Sequence, residues 1–223
     1  MFIEQINNDY AARTSEELLS MILEKFSKIT LACSFGADDI VLLDMIMKIN
    51  PNTDIFYLDT HLHFNETYET IEQLEKHYQK KFIKVQPKLT LIEQVAQYGE
   101  ELWSKNANVC CNLRKVDPLT DILKNYNAWI TGIRRDQTIT RVNAQMAEYD
   151  VKFGLIKFNP IVSWTSEEVW NYIKKHKLIY NPLHDHNYPS IGCFPCTKQV
   201  AEGDDPRSGR WADQDKTECG LHK

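Results

Sequence analysis

Apolar residues recur at helical spacing over 15–27, where Leu18, Leu19, Ile22, Leu23 and Phe26 share one face. Thr14 and Glu17 have the spacing of a capping box that would start that helix. A short apolar run over 29–34 reads as a strand, and Val41, Leu42, Met45 and Ile46 then mark a second helix. Residues 54–59 read as a buried strand bounded by Pro51 and a polar loop. A helix over 65–79 and a strand over 81–86 repeat the alternation. Strands follow at 128–132 and 154–158, and Thr165 with Glu168 caps a helix running to about His176. This order predicts an α/β fold with a mostly parallel sheet flanked by helices. In such sheets ligands collect beyond the carboxyl ends of the strands, where several polar motifs fall here.

The 223 residues, 43% of them hydrophobic, suffice for one substantial core. No repeat, low-complexity block or linker interrupts 1–200, which reads as a single domain. From 201 the composition turns to Gly203, Asp204, Asp205, Pro206, Gly209, Asp213 and Asp215, too polar for a core of its own. A mobile tail over 201–223 is expected, carrying Arg207, Arg210, Cys219 and His222. The net charge of -5 argues against a general affinity for nucleic acid. No stretch approaches the roughly 18 apolar residues of a membrane span, and the first residues lack the pattern of an export signal. The expectation is a soluble, cytoplasmic protein without nucleic-acid or membrane partners.

Six cysteines in such a chain point to metal or thiol chemistry rather than disulfides. Four form two close pairs, Cys110 with Cys111 and Cys193 with Cys196. Adjacent cysteines crowd one tetrahedral zinc ion, whereas a cluster offers each thiolate its own iron, and four thiolates match a 4Fe-4S cluster. Zinc, buried thiols and a redox dithiol are the alternatives. Arg114 and Lys115, directly after the first pair, would offset a cluster's negative charge or else form an exposed basic turn. Cys33 lies in a core strand and is read as structural. Cys219, four residues from the chain end, is a candidate nucleophile or an idle tail thiol. Lys216, His222 and a basic anion site would favour its thiolate, and Glu218 would disfavour it.

Two loops could hold an anion. Ser34, Phe35, Gly36, Ala37, Asp38 and Asp39 join a strand to a helix N-terminus, without the ending of a Walker loop. Residues 131–138 follow another strand, with Gly132 permitting close approach and Arg134, Arg135 and Arg141 able to clamp an anion or to form surface ion pairs. Lys157 and Asn159 end the next strand and extend this lining; Arg207 and Arg210 would arrive with the tail.

Together, Ser34 to Ala37, Leu58-Asp59-Thr60, Cys110 to Lys115, Gly132 to Gln137, Cys193 to Cys196, and Glu218-Cys219-Gly220-Leu221-His222 resemble the adenylyl-sulfate and phosphoadenylyl-sulfate reductase family over nearly the whole chain. The resemblance implies a fold similar to adenine-nucleotide α-hydrolases of the PP-loop type. Ser34, Phe35 and Gly36 would be a modified pyrophosphate-type loop, with Leu58, Asp59 and Thr60 beside the nucleotide. It further implies one 4Fe-4S cluster on Cys110, Cys111, Cys193 and Cys196, and a preference for adenylyl sulfate, with the 3'-phosphorylated form accepted by some members. Cys219, helped by His222, would take the sulfonate, AMP would leave, and thioredoxin or a similar dithiol would release sulfite, as in sulfate assimilation and cysteine biosynthesis. Gly132, Arg134, Arg135, Gln137, Arg141, Lys157, Arg207 and Arg210 would line the substrate. Oligomeric state is left open. Two departures bear on nucleotide contacts and tail docking: His61 replaces a common glycine, and Ala212 and Asp213 follow Trp211 where aromatics are usual.

Two rival readings share some features. An ATP pyrophosphatase that thiolates RNA would use the same fold, but Phe35 and Ala37 interrupt its loop and the acidic balance gives no RNA footprint. A non-catalytic iron-sulfur or zinc redox sensor would leave the arginine-rich loop unexplained.

Overall fold

A computed structural model describes residues 2–221. Helix α1 (Phe2–Asp9) and α2 (Ser15–Lys25) precede β1 (Ile29–Ala32), α3 (Ala37–Ile49), β2 (Asp54–Leu58), α4 (Asn65–Tyr78) and β3 (Ile83–Val85). Then come α5 (Leu91–Tyr98), α6 (Leu102–Lys105), α7 (Ala107–Cys111), a π-helical stretch (Asn112–Val116), α8 (Asp117–Leu123) and β4 (Ala128–Ile130). The antiparallel pair β5 (Ala147–Asp150) and β6 (Leu155–Phe158) and helix α9 (Ser166–His176) complete the frame. The six strands lie in the order β3-β2-β1-β4-β6-β5, parallel except at the β5 edge. The expected mostly parallel sheet is therefore present.

The chain moves outward from β1 to β2 and β3, then returns to place β4 on the other side of β1. At such a reversal the loops leaving neighbouring strands diverge and open a crevice. The core packs α2 and α3 against the sheet through Leu18, Leu19, Ile22, Leu31, Val41, Leu42, Ile46 and Ile130. Both foreseen capping boxes form: Glu17 accepts from the Thr14 N–H at 2.8 Å, and Glu168 from the Thr165 N–H at 2.7 Å.

The helical run from α5 to α8, helix α1 and strand β5 were not foreseen. In β5 only Ala147 is buried, while Tyr149 stands 56% exposed, so no alternating pattern advertises the strand. Helix α1 is short and buries only Ile6. Helix α5 did carry a signal, the capping box of Thr90 and Glu93. Among the described residues no helix is long and apolar enough to cross a membrane.

Candidate functional site

A cavity of about 390 Å³ opens at the carboxyl ends of β1, β2 and β4. Its floor is the turn after β1. There Asp39 folds back and accepts from the Ser34 N–H (2.6 Å) and hydroxyl (2.5 Å). Burial raises the Asp39 pKa, opposed by bonds from Ser34 and the Gly132 backbone and by the charge of Arg141. A Cβ at Gly132 would collide with the Asp39 carboxylate, so glycine lets the β1 and β4 loops touch. Phe35 adopts a left-handed φ of 60°. That conformation costs about 1–2 kcal/mol in a non-glycine residue, whereas burying a Phe ring stabilises by roughly 1.5–3 kcal/mol. The ring is 2% exposed, edge-on to Tyr57 at 5.5 Å, so packing holds the turn without glycine.

The loop after β4 is organised by Gln137. Its side-chain oxygen accepts from the Arg134 N–H (3.1 Å) and from Arg141 Nη1 (2.5 Å), while its amide donates to Asp38 (2.8 Å) and to the Gly132 carbonyl (3.2 Å). The Arg134 guanidinium pairs with Asp38 and Asp136. Its charge is thus answered locally by two carboxylates, although the guanidinium itself is buried rather than on the surface.

The tail lies across the open side. Arg207, Arg210, Trp211, Glu218, Cys219 and Leu221 all line the cavity. Glu218 is 3% exposed and held by Arg141, Arg207 and Thr140. Burial alone would raise its pKa; Arg141 and Arg207 hold it below the ordinary carboxylate value. The acidic neighbour of Cys219 is therefore tied up in ion pairs. Arg210 donates to Ser190 Oγ and the Ile191 carbonyl (3.3 Å each) and stacks over Trp211 at 4.6 Å, and its Nε is buried without a partner.

Behind this wall, Cys110, Cys111, Cys193 and Cys196 line a second, small cavity with Arg114, Lys115, Arg210 and Trp211. The first pair ends α7, and the π-helical stretch that follows carries Arg114 and Lys115. Arg114 is 1% exposed, which removes the exposed-turn alternative for it. It donates from Nε to the buried Gln94 (2.7 Å) and from Nη1 to the Thr60 carbonyl (3.0 Å), leaving Nη2 buried with no partner. Burial, then the neighbouring Cys111, Cys193 and Cys196, push the Cys110 thiol up to about 12; burial and Cys193 push Cys196 up to about 11. Thiols so perturbed keep their protons at neutral pH unless a positive group draws them off. Among the described residues no three such side chains are arranged around a single metal ion. Four thiols lining one cavity beside an orphaned guanidinium N–H are a donor set compatible with a group that carries anionic sulfur.

Of the residues singled out by sequence, Ser34, Phe35, Gly36, Leu58, Gly132, Arg134, Gln137, Arg141, Arg207, Arg210, Lys115 and Cys219 meet in the large cavity. Asp59, Thr60, Arg135 and Lys157 do not line it. Asp59 accepts from Tyr68 (2.7 Å) and the His61 N–H (3.0 Å). Thr60 is directed to the cysteines, its hydroxyl 3.4 Å from Cys193 Sγ. Arg135 is exposed and donates to the Ala144 carbonyl, and Lys157 pairs at 2.7 Å with Glu148, its register partner across β5 and β6. Asn159 is buried, with its side-chain oxygen accepting from the Thr131 hydroxyl. His222 lies outside the described residues. His61 keeps a left-handed φ of 59°, the conformation a glycine adopts freely. Ala212 and Asp213 are exposed, and Asp213 pairs with Lys198. The sequence reading missed Asp38 and Asp39 as organisers, though both lie inside the motif it quoted. It also missed His63, which lines the cavity while its Nε2 lies 2.9 Å from the Leu58 carbonyl.

Residues 28–199 match the phosphoadenosine phosphosulfate reductase domain. The chain belongs to that family. An adenosine 5'-phosphosulfate reductase of Staphylococcus haemolyticus is 47% identical over 223 residues, covering 99% of this chain and 92% of the relative, so the likeness includes the tail. Among solved structures, the phosphoadenylyl-sulfate reductase of Candida auris in its phosphate complex superposes with a TM-score of 0.79 at 30% identity, covering 89% of this chain and 96% of that one. The FMN adenylyltransferase of Candida glabrata reaches a TM-score of 0.60 at 13% identity over 92% of this chain and 77% of its own, a likeness of fold alone.

Proposed function

We propose that the chain reduces adenylyl sulfate to sulfite and AMP, with the 3'-phosphorylated nucleotide as a secondary substrate. The observation that carries the reading is the position of Cys219 in the same cavity as the strand-end loops and Arg141, Arg207, Arg210 and Lys115. The Cys219 thiolate attacks the sulfate sulfur; the bond from sulfur to the bridging phosphate oxygen breaks, and AMP leaves with its electron pair. Nucleophile and substrate are both anionic, so the guanidinium groups and Lys115 lower their repulsion and stabilise charge on the sulfuryl oxygens. One thiolate of a thioredoxin-type dithiol then attacks Cys219 Sγ, sulfite departs, and the second thiol resolves the mixed disulfide. The dithiol loses two electrons and the sulfonate gains them. The tail serves both steps by closing over the nucleotide and then presenting Cys219 outward.

Cys110, Cys111, Cys193 and Cys196 would hold a 4Fe-4S cluster, which when bound ties the α7 turn to the 193–196 turn and sets the local charge. Both electrons come from the dithiol, so no step requires it. The test is anaerobic mixing with adenylyl sulfate and no reductant, followed by peptide mapping. Added SO3 on Cys219, absent in Cys219→Ser and removed by thioredoxin, supports the reading; an unlabelled chain with either sulfonucleotide overturns it.

A further inference from the structure

Between Trp211 and Leu221 the tail is almost wholly polar, and Glu218 is its only buried residue in that span. Among the described residues, apolar contact there is limited to Cys219 against Trp211, Cys111 and Ala107 and to Leu221 against the cluster of Leu119 and Trp129, which leaves the segment's approach to be fixed by polar bonds. The Glu218 carboxylate instead accepts from Arg141 Nε and Nη2 (2.8 Å each), Thr140 Oγ1 (3.1 Å) and Arg207 Nη2 (3.4 Å). Arg141 meets it side-on with two parallel donors, the geometry that fixes orientation as well as distance. Arg141 is itself aimed by Gln137, which ties the latch to the β4 loop. On the other flank of Cys219, Lys152 donates to the Gly220 carbonyl at 2.6 Å. A carboxylate beside a nucleophile that must attack an anion is electrostatically adverse unless it serves another purpose. Here its charge is spent on two guanidinium groups.

We propose that Glu218 is a positioning residue, an ionic latch that seats Cys219 in the cavity for sulfonation and must open before the reductant can reach the S-sulfonate. The proposal rests on the reading above. It assigns the two half-reactions opposite demands: a closed latch speeds the first, and an open latch speeds the second.

The experiment uses the full chain, purified anaerobically, in wild-type, Glu218→Gln, Glu218→Asp and Thr140→Val forms. Single-turnover labelling of Cys219 by adenylyl sulfate should slow on the order of 10- to 100-fold in Glu218→Gln, as expected when a nucleophile loses its alignment. Alkylation of Cys219 by iodoacetamide without nucleotide, read by peptide mapping, should become faster in the same variant. Release of sulfite from already sulfonated protein by dithiothreitol should be as fast or faster. Glu218→Asp should recover part of the labelling rate, and Thr140→Val should show the same pattern in weaker form without removing a buried charge. Labelling at the wild-type rate in Glu218→Gln, or labelling and alkylation slowed together in both Glu218→Gln and Thr140→Val, overturns the latch. If the wild-type chain itself takes no label while its Cys219 alkylates normally, the functional reading fails instead.

Discussion

Asp39 reaches back five residues to hold Ser34 twice, through its backbone N–H at 2.6 Å and its hydroxyl at 2.5 Å. One carboxylate thereby closes the turn that floors the cavity. Because burial raises its pKa, the folded chain holds the Asp39 proton more tightly than the unfolded chain does. Such a group's contribution to stability is full below the ordinary carboxylate value and is lost as pH rises through the folded value. Urea unfolding of wild type and Asp39→Asn across about pH 4 to 7, roughly the range above the ordinary carboxylate value, should show wild type losing stability relative to the variant as pH rises. A pH-independent difference would contradict the raised pKa of Asp39.

Phe35 tests whether packing outweighs backbone strain. Phe35→Gly relieves the left-handed conformation but empties a ring-sized space against Tyr57 and Phe82. With large-to-small core changes costing about 3–5 kcal/mol and strain relief returning about 1–2, the variant should be less stable by roughly 1–4 kcal/mol in equilibrium denaturation.

Arg210 differs from Arg134, Arg141 and Arg207 in having no acidic partner in an ion pair among the described residues. Its charge is the freest of the four to meet a substrate anion. Arg210→Ala should lower kcat/KM for adenylyl sulfate by about 100-fold or more. By contrast, Lys198→Ala, which breaks only the exposed pair with Asp213, should change it by less than about twofold.

The cysteine site makes a compositional prediction. Anaerobically purified protein should contain iron and acid-labile sulfide and absorb in the visible range; serine at Cys110, Cys111, Cys193 or Cys196 should abolish or bleach that absorbance. Cys33→Ala should retain it, since Cys33 is buried in the strand-end turn away from the other thiols. Zinc in place of iron in the native protein would contradict the cluster.

The sheet was legible because its buried strands are short apolar runs and its helices carry paired Thr and Glu caps. The site was legible to the extent that chemistry clusters in sequence: Ser34 to Gly36 and Gly132 to Gln137 each sit on one loop. What could not be read was which face a side chain would take. Asp59 and Thr60 are neighbours of Leu58, yet the turn sends one to Tyr68 and the other to Cys193. Arg135 follows Arg134 and points away from it to the Ala144 carbonyl. Nor could spacing reveal Gln94 beneath Arg114, or Arg141 against Glu218, since each pair meets only once the chain has folded.

The tail is not attached by its latch alone. Arg210 bridges to Thr197, the Lys198 N–H meets the Gly209 carbonyl at 2.8 Å, and the Trp211 N–H meets the Cys196 carbonyl at 3.1 Å. The root of the tail is therefore stitched by main chain to the very turn that bears Cys193 and Cys196. The base of the segment that carries Cys219 and the turn that carries two of the paired cysteines thus share main-chain bonds, so the placement of one depends on the shape of the other.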